Sequence, residues 1–574
     1  MVFCIRLNSF FSIHAILWIS LTLPLTAKAQ EVTGPHPSYD LMDILPVGFE
    51  DGIGGMDFLP DGKLAVCTWG GIQKKQGKVY ILSGVSGAQA STVTYTEITK
   101  DLNEPLGLKV IGQDIFFMQK QGLFKLTSAP NGTYTLSTVY TGYFYEPAQY
   151  HQFATGLEYK DGSFYFMATS SHAPKLESEE RGALIRIDPV AKTHEVIANG
   201  MREPNSLITG PEGELFTTDN QGEWRPANML IHLKKGRFFG MHGPTAPVAA
   251  GRPVSPPAIW YPHGETAQSP TQPVFVKDGI FKGQMLVGDV NLGGLKRLFL
   301  EKVKGEFQGA VFRFSGTEGF TCAWNRLVFG PDGALYLGGI GGNSALGNPG
   351  GWGWNSKTFG LMKMKPNGKT VFEMLAVRSS PTGFEIEFTK PLGNAAIQTS
   401  NFTARKWWYQ PTAAYGGPKI GEVAVTVSAA RISADRTKIN LDLAGFEPLK
   451  VYGLKINGIT SQTGEAPRSN EAWYTVLNVG SADVTIGIAS SRTVPNLPCL
   501  LPIKNGQGRF ILDLTEYDTN RDWRVIGLDG SGKISGRFDG RKSLLLPAIE
   551  GSGIFHLLVR DDSGNWIPRA TLYP

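Results

Sequence analysis

Polar and aromatic residues cluster around one strand pattern between Gly200 and Gly243. Arg202 precedes a Pro-Glu-Gly turn, and an apolar run follows that turn. Directly after the run stand Asp219, Asn220, Gln221, Gly222, Glu223 and Trp224. A connecting loop does not need this density of hydrogen-bonding groups, and functional residues concentrate on loops that a rigid scaffold holds. The stretch is therefore the first candidate for a binding or catalytic site.

Arg202 has two interpretations. A guanidinium is costly to bury unless a ligand or a carboxylate meets it. Arg202 could therefore contact a ligand, or it could pair with Glu203 or Glu223 and pin neighbouring loops. In the same way Asp219, Asn220 and Glu223 could bind a ligand or could only cap turns.

His151 stands before a turn of the same kind as Arg202 does, which places both on one face of a repeated fold. A histidine is more often packed or bonded to water than catalytic. Four tryptophans stand in Gly-rich or polar sequence: Trp224, Trp324, Trp352 and Trp354. Indoles beside Asp and Asn are typical of stacking on sugar rings, and packing between blades is the alternative.

A strand, a Gly-containing turn and a second strand form the unit that positions these residues. Copies begin near residues 55, 105, 155, 205, 281 and 325, and the second and fifth are degenerate. Recurrence every 45 to 55 residues or so, with several strands per copy, is typical of propeller blades. The six copies predict a six-bladed β-propeller over residues 40–375. Closing the ring would leave only short sheet edges.

Composition supports an all-β fold, because 70 Gly and 36 Pro without a short period indicate many tight turns. A chain of 574 residues predicts two or three domains. Alternating strand patterns over residues 376–480 predict a β-sandwich. Residues 490–574 predict a small C-terminal β-domain. That domain resembles the sorting domains of proteins that gliding-type bacteria secrete across the outer membrane, and a plain accessory domain is the alternative.

The N-terminus predicts export. A basic residue, the apolar run Phe10–Leu25 and the motif Ala27-Lys28-Ala29 make residues 1–29 a secretory signal peptide. No other stretch is apolar enough to span a bilayer, so the mature protein is predicted to be periplasmic, secreted or on the cell surface. Its net charge of +5 forms no basic stripe, which argues against nucleic acid as a partner.

The cysteines form no disulfide framework and no haem attachment motif. Cys4 leaves with the signal peptide, and Cys67, Cys322 and Cys499 remain. Cys67 and Cys322 could form one bridge if the first and last repeats are neighbours in a ring, or they could be two buried thiols.

A family resemblance rests on three ordered features: His151-Gln152, the motif from Gly200 to Asn205, and the polar loop after it. In this order they resemble the soluble quinoprotein glucose dehydrogenase and sorbosone dehydrogenase superfamily. The phrases TDNQGEWRPANMLIHLKKGRFFGMHG and GGWGWNSKTFGLMKMKPNGKTVFEMLAV are more similar to an exported, membrane-bound dehydrogenase-like branch. The resemblance covers about residues 45–480 and is most specific from Arg202 to Gly243.

The resemblance implies pyrroloquinoline quinone (PQQ) and Ca²⁺ at the top of the propeller channel. It implies that His151 is the general base for a sugar hydroxyl and that Arg202 contacts the quinone. The other residues implied or predicted for the site are Asn205, Lys296 and Arg326 for the cofactor, Asn220, Gly222 and Glu223 for the metal, and Gln152, Asp219, Trp224 and Trp324 for the substrate. Oxygen ligands suit Ca²⁺, and a permanently charged fork suits developing negative charge.

One departure leaves the function open. The superfamily places an Asp after the strand that follows the base, and here that strand ends Met167-Ala-Thr-Ser-Ser-His172. A His without an acidic partner is a weaker base. The predicted function is a quinone-dependent sugar or alcohol dehydrogenase-like oxidoreductase, with a non-catalytic carbohydrate-binding or surface interaction propeller as the alternative. The predicted partners are a small carbohydrate or polyol and, through the C-terminal domain, a secretion machinery.

Overall fold

The computed structural model describes residues 32–70, 76–87, 89–143, 152–170, 178–241, 251–341, 357–395 and 397–480, and seven strands after residue 501. The chain forms two compact units, residues 1–482 and 483–574. Within the described ranges there are strands, turns and short 3₁₀ helices at Ala90–Thr92, Pro211–Gly213 and Thr399–Asn401, but no α-helix. This confirms the predicted all-β class. No helix in these ranges is long and apolar enough to cross a membrane.

Six antiparallel sheets of four strands fill most of the first unit. Strand β1 (Tyr39–Asp43) belongs to the sixth sheet. The first sheet contains β2 (Ile53–Phe58), β3 (Leu64–Thr68), β4 (Gly77–Ser83) and β5 (Thr94–Leu102). The second contains β6 (Gly107–Ile111), β7 (Asp114–Gln119), β8 (Gly122–Ser128) and β9 (Tyr134–Tyr140). The third contains β10 (Ala154–Lys160), β11 (Ser163–Ala168), β12 (Ala183–Asp188) and β13 (Thr193–Ala198).

The other three sheets follow the same plan. The fourth contains β14 (Leu207–Thr209), β15 (Leu215–Asp219), β16 (Asn228–Leu233) and β17 (Ile259–Tyr261). The fifth contains β18 (Pro270–Phe275), β19 (Met285–Asp289), β20 (Leu295–Val303) and β21 (Glu306–Ser315). The sixth contains β22 (Trp324–Phe329), β23 (Leu335–Gly339) and β24 (Leu361–Pro366), and β1 pairs with β24. The N-terminal strand therefore completes the last sheet.

The innermost strands of the six sheets meet around a common axis. Each of β2, β6, β10, β14, β18 and β22 contacts the next, and β22 contacts β2. Glycines permit this approach, because a Cβ on Gly54 would collide with the carbonyl of Pro105, and one on Gly107 with the carbonyl of Gly156. The arrangement is propeller-like, and it brings the loops at one end of all six sheets together.

The eight strands after the ring form two further layers. They are β25 (Met374–Ser379), β26 (Gly383–Phe388), β27 (Phe402–Trp408), β28 (Ile420–Val425), β29 (Val427–Ile432), β30 (Lys438–Leu443), β31 (Lys450–Ile456) and β32 (Glu471–Val476). One layer has the order β25-β26-β30-β29 and the other β32-β31-β27-β28. Alternating apolar residues such as Phe384, Ile386 and Leu454 fill the core between the layers.

The second of these layers continues the fifth sheet of the ring. Strand β32 pairs antiparallel with β21, with Val311 opposite Trp473 and Gly309 opposite Thr475. The two sheets thus form one eight-stranded sheet. Residues 40–375 and 376–480 consequently belong to one compact unit, and β25 runs across the predicted boundary.

The second unit has two antiparallel sheets of its own. Its strands are β33 (Pro502–Lys504), β34 (Phe510–Asp513), β35 (Asp522–Gly527), β36 (Gly532–Arg537), β37 (Ser543–Leu545), β38 (Phe555–Arg560) and β39 (Trp566–Leu572). The orders are β33-β34-β37 and β36-β35-β38-β39.

Cys67 and Cys322 are free and buried. Of the two alternatives that the sequence left open, the structure therefore has two buried thiols and not a disulfide bridge. Burial raises the pKa of the Cys67 thiol to about 12. A thiol with so high a pKa is a poor nucleophile at neutral pH. The predicted signal peptide and Cys499 lie outside the described residues.

Candidate functional site

A cavity of about 230 Å³ lies at the end of the ring where loops enter the innermost strands. We call it the upper cavity. Its lining comes from all six sheets and from one residue beyond them: Trp69, Leu106, Phe153, Thr155, Thr169, Arg202, Glu203, Pro204, Asn205, Asn220, Gln221, Gln268, Ser269, Val290, Asn291, Asn325, Arg326, Ile340 and Tyr415. Residues far apart in sequence therefore meet at one site on the axis.

Asp219 holds one of the lining loops in place. It ends β15 and is fully buried. Its carboxylate accepts the backbone N–H groups of Arg202 at 3.0 Å and Glu203 at 2.8 Å, and it pairs with Nε of Arg225 at 2.7 Å. Asp219 was predicted to contact the substrate, but it is not among the residues that line the cavity. Its carboxylate instead fixes the loop that carries Arg202.

The same device recurs in the next sheet. Asp289 ends β19, and its carboxylate accepts the N–H groups of Gln268 at 2.7 Å and Ser269 at 3.1 Å. It also accepts the N–H of Asn291 at 3.0 Å. A carboxylate at the end of a second strand therefore orders both loops of its sheet at the cavity. Charge-assisted bonds to backbone N–H groups are among the stronger hydrogen bonds in proteins.

Arg326 forms the floor of the upper cavity. Its side chain is 1% exposed and also lines a smaller cavity of about 60 Å³ further along the axis, which we call the lower cavity. Nε donates to the carbonyl of Gly54 at 2.6 Å, Nη2 to that of Leu106 at 2.9 Å, and Nη1 to Oδ1 of Asn205 at 2.7 Å and of Asn325 at 2.9 Å. One side chain thus links four of the six sheets.

The charge of Arg326 is not balanced by a carboxylate among the described residues, since its hydrogen-bond partners there are carbonyl and amide oxygens. Burial lowers the pKa of Arg326 to about 10. Burying a charge without a counter-charge is expensive, and an anionic group in the cavity would reduce that cost. The floor therefore favours a ligand with a negative group.

Arg202 lies in the wall of the cavity. Its Nε donates to Oε2 of Glu223 at 2.9 Å, and its guanidinium lies 5.2 Å from the ring centre of Tyr415. Burial opposes the charge, but Glu203 and Glu223 outweigh it and hold the pKa of Arg202 above its ordinary value. The pairing with Glu223 that the sequence left open is thus present, and Arg202 also lines the cavity.

Gly222 supports the guanidinium of Arg202, because a Cβ at this position would overlap the Nε, Cδ and Cζ atoms of Arg202. We expect Gly222→Ala to displace Arg202 and to lower the free energy of unfolding by about 1–3 kcal/mol, the usual cost of overpacking. Urea unfolding measures this change. The control is Gly34→Ala, whose Cβ would make ordinary contacts at 3.6 Å or more. Equal stability of the two variants would mean that the Arg202 side chain can adopt another conformation without loss of stability.

Two of the three predicted metal ligands already use oxygens in contacts within the protein. Asn220 lines the cavity, and its Oδ1 is buried without a hydrogen-bond partner among the described residues. The Gly222 carbonyl accepts the N–H groups of Arg225 and Gly416, both at 2.9 Å, and the Glu223 carboxylate pairs with Arg202. In the part of the chain that the structure describes, no three His, Cys, Asp or Glu side chains could hold a metal together. Asn220 offers one oxygen.

Of the remaining predicted residues that the structure describes, some line the cavity and others do not. Asn205 lines the cavity and bonds to Arg326. Gln152 is buried, and Trp224 donates its backbone N–H to the carbonyl of Thr412; neither is a lining residue. Trp324 is fully buried in the core against Phe320. Three predicted residues, His151, Trp352 and Trp354, lie outside the described residues.

Lys296 is not brought to the cavity. It lies on β20, the third strand of its sheet, and its ammonium donates to the carbonyl of Gly293 at 2.7 Å. Burial lowers the pKa of Lys296 to about 8, aided by Arg313 and opposed by Asp289. Because the third strand is remote from the axis, its side chains do not reach the cavity lining.

Lys296 predicts a dependence of stability on pH. Below about pH 8 the lysine is charged in both the folded and unfolded states, so the cost of burying the charge is fully present. That cost is relieved as the pH rises from about 8 towards 10.5, so this group makes the protein more stable at higher pH. We expect Lys296→Met to remove this rise and to add up to about 3 kcal/mol at pH 7. Urea unfolding at several pH values tests this, with the exposed Lys277→Met as control. An unchanged slope for Lys296→Met would contradict it.

Six amide side chains reach the cavity: Asn205, Asn220, Gln221, Gln268, Asn291 and Asn325. Asn205 and Asn220 were predicted site residues and Gln221 was noted in the polar loop, whereas Gln268, Asn291 and Asn325 were missed by the sequence interpretation. Asn205 and Asn325 open the fourth and sixth copies of the repeat at the same position, which is a signal that could have identified Asn325. Tyr415 gave no signal, because it lies in the region predicted to be structural.

Among known proteins, this chain is similar to solved structures but matches no family model and no curated sequence. A putative oxidoreductase (glucose dehydrogenase) from Thermus thermophilus is 17% identical, with a TM-score of 0.43 over 57% of this chain and 99% of its own. The PQQ-bound aldose sugar dehydrogenase from Streptomyces coelicolor is 15% identical, with a TM-score of 0.40 over 57% and 99%. The PQQ domain of pyranose dehydrogenase from Coprinopsis cinerea is 13% identical, with a TM-score of 0.40 over 59% and 98%. All three are named as dehydrogenases.

Proposed function

We propose that this chain is a quinone-dependent sugar or alcohol dehydrogenase-like oxidoreductase that binds a small carbohydrate or polyol in the upper cavity. In this proposal the six sheets are the blades of a six-bladed propeller, and His151 is the general base. The observation that carries it is the composition of the cavity: a buried guanidinium at the floor, whose hydrogen-bond partners among the described residues include no carboxylate, and amide side chains around it. Such a site suits one anionic group together with several hydroxyls.

The floor and wall fit the quinone. PQQ carries carboxylates, and Arg326 and Arg202 offer guanidiniums to them, with Asn205 beside Arg326. When bound, this cofactor accepts a hydride from the carbon that bears a sugar hydroxyl. Lys296 takes no part, because it lies away from the cavity. The quinone would thus be held by two arginines, of which only Arg202 has a carboxylate partner among the described residues.

The residues predicted to bind Ca²⁺ fit that ion less well than the arginines fit the quinone, and no step of the reaction is assigned to a metal. Of its three predicted ligands, Asn220 has a buried side-chain oxygen without a described partner, the Gly222 carbonyl already accepts two N–H groups, and one oxygen of Glu223 accepts from Arg202. A hard cation needs about six oxygen ligands or more. The protein residues therefore support cofactor binding through guanidiniums better than through a bound Ca²⁺.

Substrate binding falls to the amides and aromatic rings of the wall. Gln221, Gln268 and Asn291 can donate to and accept from hydroxyl groups, while Trp69 and Phe153 offer apolar surface. His151 would take the hydroxyl proton, and it stands next to the buried Gln152 in sequence. These residues hold and orient the ligand, and the loops fixed by Asp219 and Asp289 keep them in place.

The test is a calorimetric titration of the purified protein with PQQ, once with CaCl₂ and once with a chelator. Binding followed by sugar-dependent dye reduction, with turnover lost in His151→Ala, would support the proposal. The matched variants are Arg326→Lys, which keeps a charge at the floor but loses the fork, and Lys296→Met, which removes a buried charge outside the cavity. Quinone binding should weaken in the first and remain in the second. Failure of wild type to bind the quinone would overturn the proposal.

A second function is favoured by one observation. After β11, where a carboxylate would orient the base, stands Ser170, whose hydroxyl donates to the carbonyl of Arg202 at 2.9 Å. Without an acidic partner His151 is a weaker base, and the cavity could then bind carbohydrate without oxidising it. Sugar binding without turnover in the presence of PQQ would identify this non-catalytic function.

We also propose that residues 1–29 direct export and that residues 490–574 meet a secretion machinery. The apolar run before Ala27-Lys28-Ala29 supports the first, and the resemblance of the C-terminal pattern to sorting domains supports the second. Deleting residues 490–574 should change the location of the protein and leave ligand affinity as it is. Fractionation of cells tests this, and unchanged location would leave the domain as an accessory.

A further inference from the structure

Tyr415 lines the upper cavity although it does not belong to the ring of six sheets. It lies in the connection between β27 and β28, and residues 411–417 of that connection are called the bridging loop below. Every other lining residue lies in a strand of one of the six sheets or in a segment that enters or leaves such a strand. The layers after the ring, predicted to be structural, thus contribute a side chain to the site.

Backbone hydrogen bonds fix the bridging loop against the loop that follows β15. The N–H of Trp224 donates to the carbonyl of Thr412 at 2.9 Å, and the N–H of Gly416 donates to that of Gly222 at 2.9 Å. A third bond joins the N–H of Gly417 to the carbonyl of Pro226 at 3.0 Å. Three bonds over so short a segment hold the backbone on both sides of Tyr415, so the ring has a defined place above the cavity.

The side chain of Tyr415 is 64% exposed. The guanidinium of Arg202 lies 5.2 Å from the centre of the Tyr415 ring, which is a cation–π contact. Trp69 and Phe153 line the cavity from other sheets, with ring centres 6.1 Å apart and planes nearly perpendicular. Amide side chains line the same cavity. The cavity therefore has apolar faces together with polar groups for the edges of a ligand.

We infer that Tyr415 contacts the ligand and selects cyclic sugars over open-chain polyols. This inference rests on the proposed carbohydrate function and names its substrate class. A pyranose ring presents a continuous face of C–H groups that can lie against an aromatic ring, while its hydroxyls point outward to hydrogen-bonding partners. An open-chain alditol has similar hydroxyls but no such rigid face. Tyr415 supplies the stacking surface, and the amides of the wall supply the hydrogen bonds.

The experiment measures affinities for D-glucose and D-galactose, and for the alditol sorbitol, by calorimetry on the full-length mature protein. The variants are Tyr415→Ala, which removes the ring, and Tyr415→Phe, which keeps it. Trp408→Ala is the matched control, because Trp408 is an exposed aromatic residue of the same layer that does not line the upper cavity. We expect Tyr415→Ala to weaken the two cyclic sugars about tenfold, the loss of one aromatic contact, and sorbitol less than about twofold.

Trp408→Ala should bind like wild type, and Tyr415→Phe should keep the preference for cyclic sugars over sorbitol. The melting temperature of Tyr415→Ala should stay within about 1–2 °C because the ring is exposed. Wild-type affinity of Tyr415→Ala for the cyclic sugars would overturn the inference while the proposed function stands. An equal loss for sorbitol would also overturn it, since the ring would then not discriminate ligand shape. If wild type binds none of the three ligands, the proposed carbohydrate function fails first, and the inference with it.

Discussion

Replacement of Arg326 by methionine is expected to lower the free energy of unfolding by about 3 kcal/mol. The variant removes the donors that hold the carbonyls of Gly54 and Leu106 and the side-chain oxygens of Asn205 and Asn325. The Leu106 carbonyl keeps a second donor, the N–H of Gly156 at 2.9 Å. Each of the other buried acceptors that is left without a donor costs about 1 kcal/mol or more, which outweighs the relief of no longer burying a charge. Urea unfolding with an unchanged slope would measure the loss as a true change of stability.

The same variant should lose affinity for an anionic ligand, because the floor of the upper cavity would no longer be cationic. Titration with PQQ at a concentration where the variant is fully folded separates this effect from unfolding. Arg186→Met is the control, since the Arg186 guanidinium is 42% exposed and pairs with Glu195 at the surface. It should change stability by less than about 0.5 kcal/mol. Full stability of Arg326→Met would mean that the six sheets do not need this link.

Replacement of Arg202 by alanine is expected to lower ligand affinity by about a hundredfold, the effect of losing a charged contact to an anionic group. Stability should fall as well, by about 1 kcal/mol, because the pair with Glu223 is partly exposed and screened. Calorimetric titration and thermal unfolding measure the two effects on the same sample.

Glu223→Gln separates the two roles of Arg202. It removes the carboxylate partner of Arg202 but leaves the guanidinium in the cavity wall. If Arg202 contacts the ligand, Glu223→Gln should lose stability but keep its affinity, since less negative charge then competes with an anionic ligand. Loss of affinity in Glu223→Gln equal to that of Arg202→Ala would show that Arg202 acts only as a clamp between loops.

The sequence predicted the strands and their repeat because two local rules act in every copy: apolar residues in the strands and glycine in the turn. Arg202 stood out as a charged residue before a turn and a buried strand, and the resemblance to the quinoprotein superfamily implied Arg326. Both line the upper cavity. For Arg202 the local pattern sufficed, because entry into an innermost strand leads to the axis.

The positions of other residues depend on how distant segments pair and pack, which local sequence patterns do not show. Trp324 stands among polar and small residues, yet it begins β22 and its indole is buried in the core. Lys296 stands shortly after the glycine pair at 293 and 294, as a residue of a cavity loop might. Because the fifth copy of the repeat is degenerate, its sequence did not show that Lys296 lies on the third strand of its sheet. Tyr415 reaches the cavity only because the layers after the ring pair with the fifth sheet, and strand pairing over such sequence distance is not encoded in any one segment.

The pairing of β21 with β32 determines where the chain can be divided. A protein cut at the predicted boundary near residue 375 would keep all six sheets of the ring but would lose the partner of β21. The N–H and C=O groups of that strand would then be open to pairing with another molecule, which invites aggregation. The cut would also discard the bridging loop. The shortest polypeptide that protects this edge and retains every described wall of the cavity therefore extends past β32.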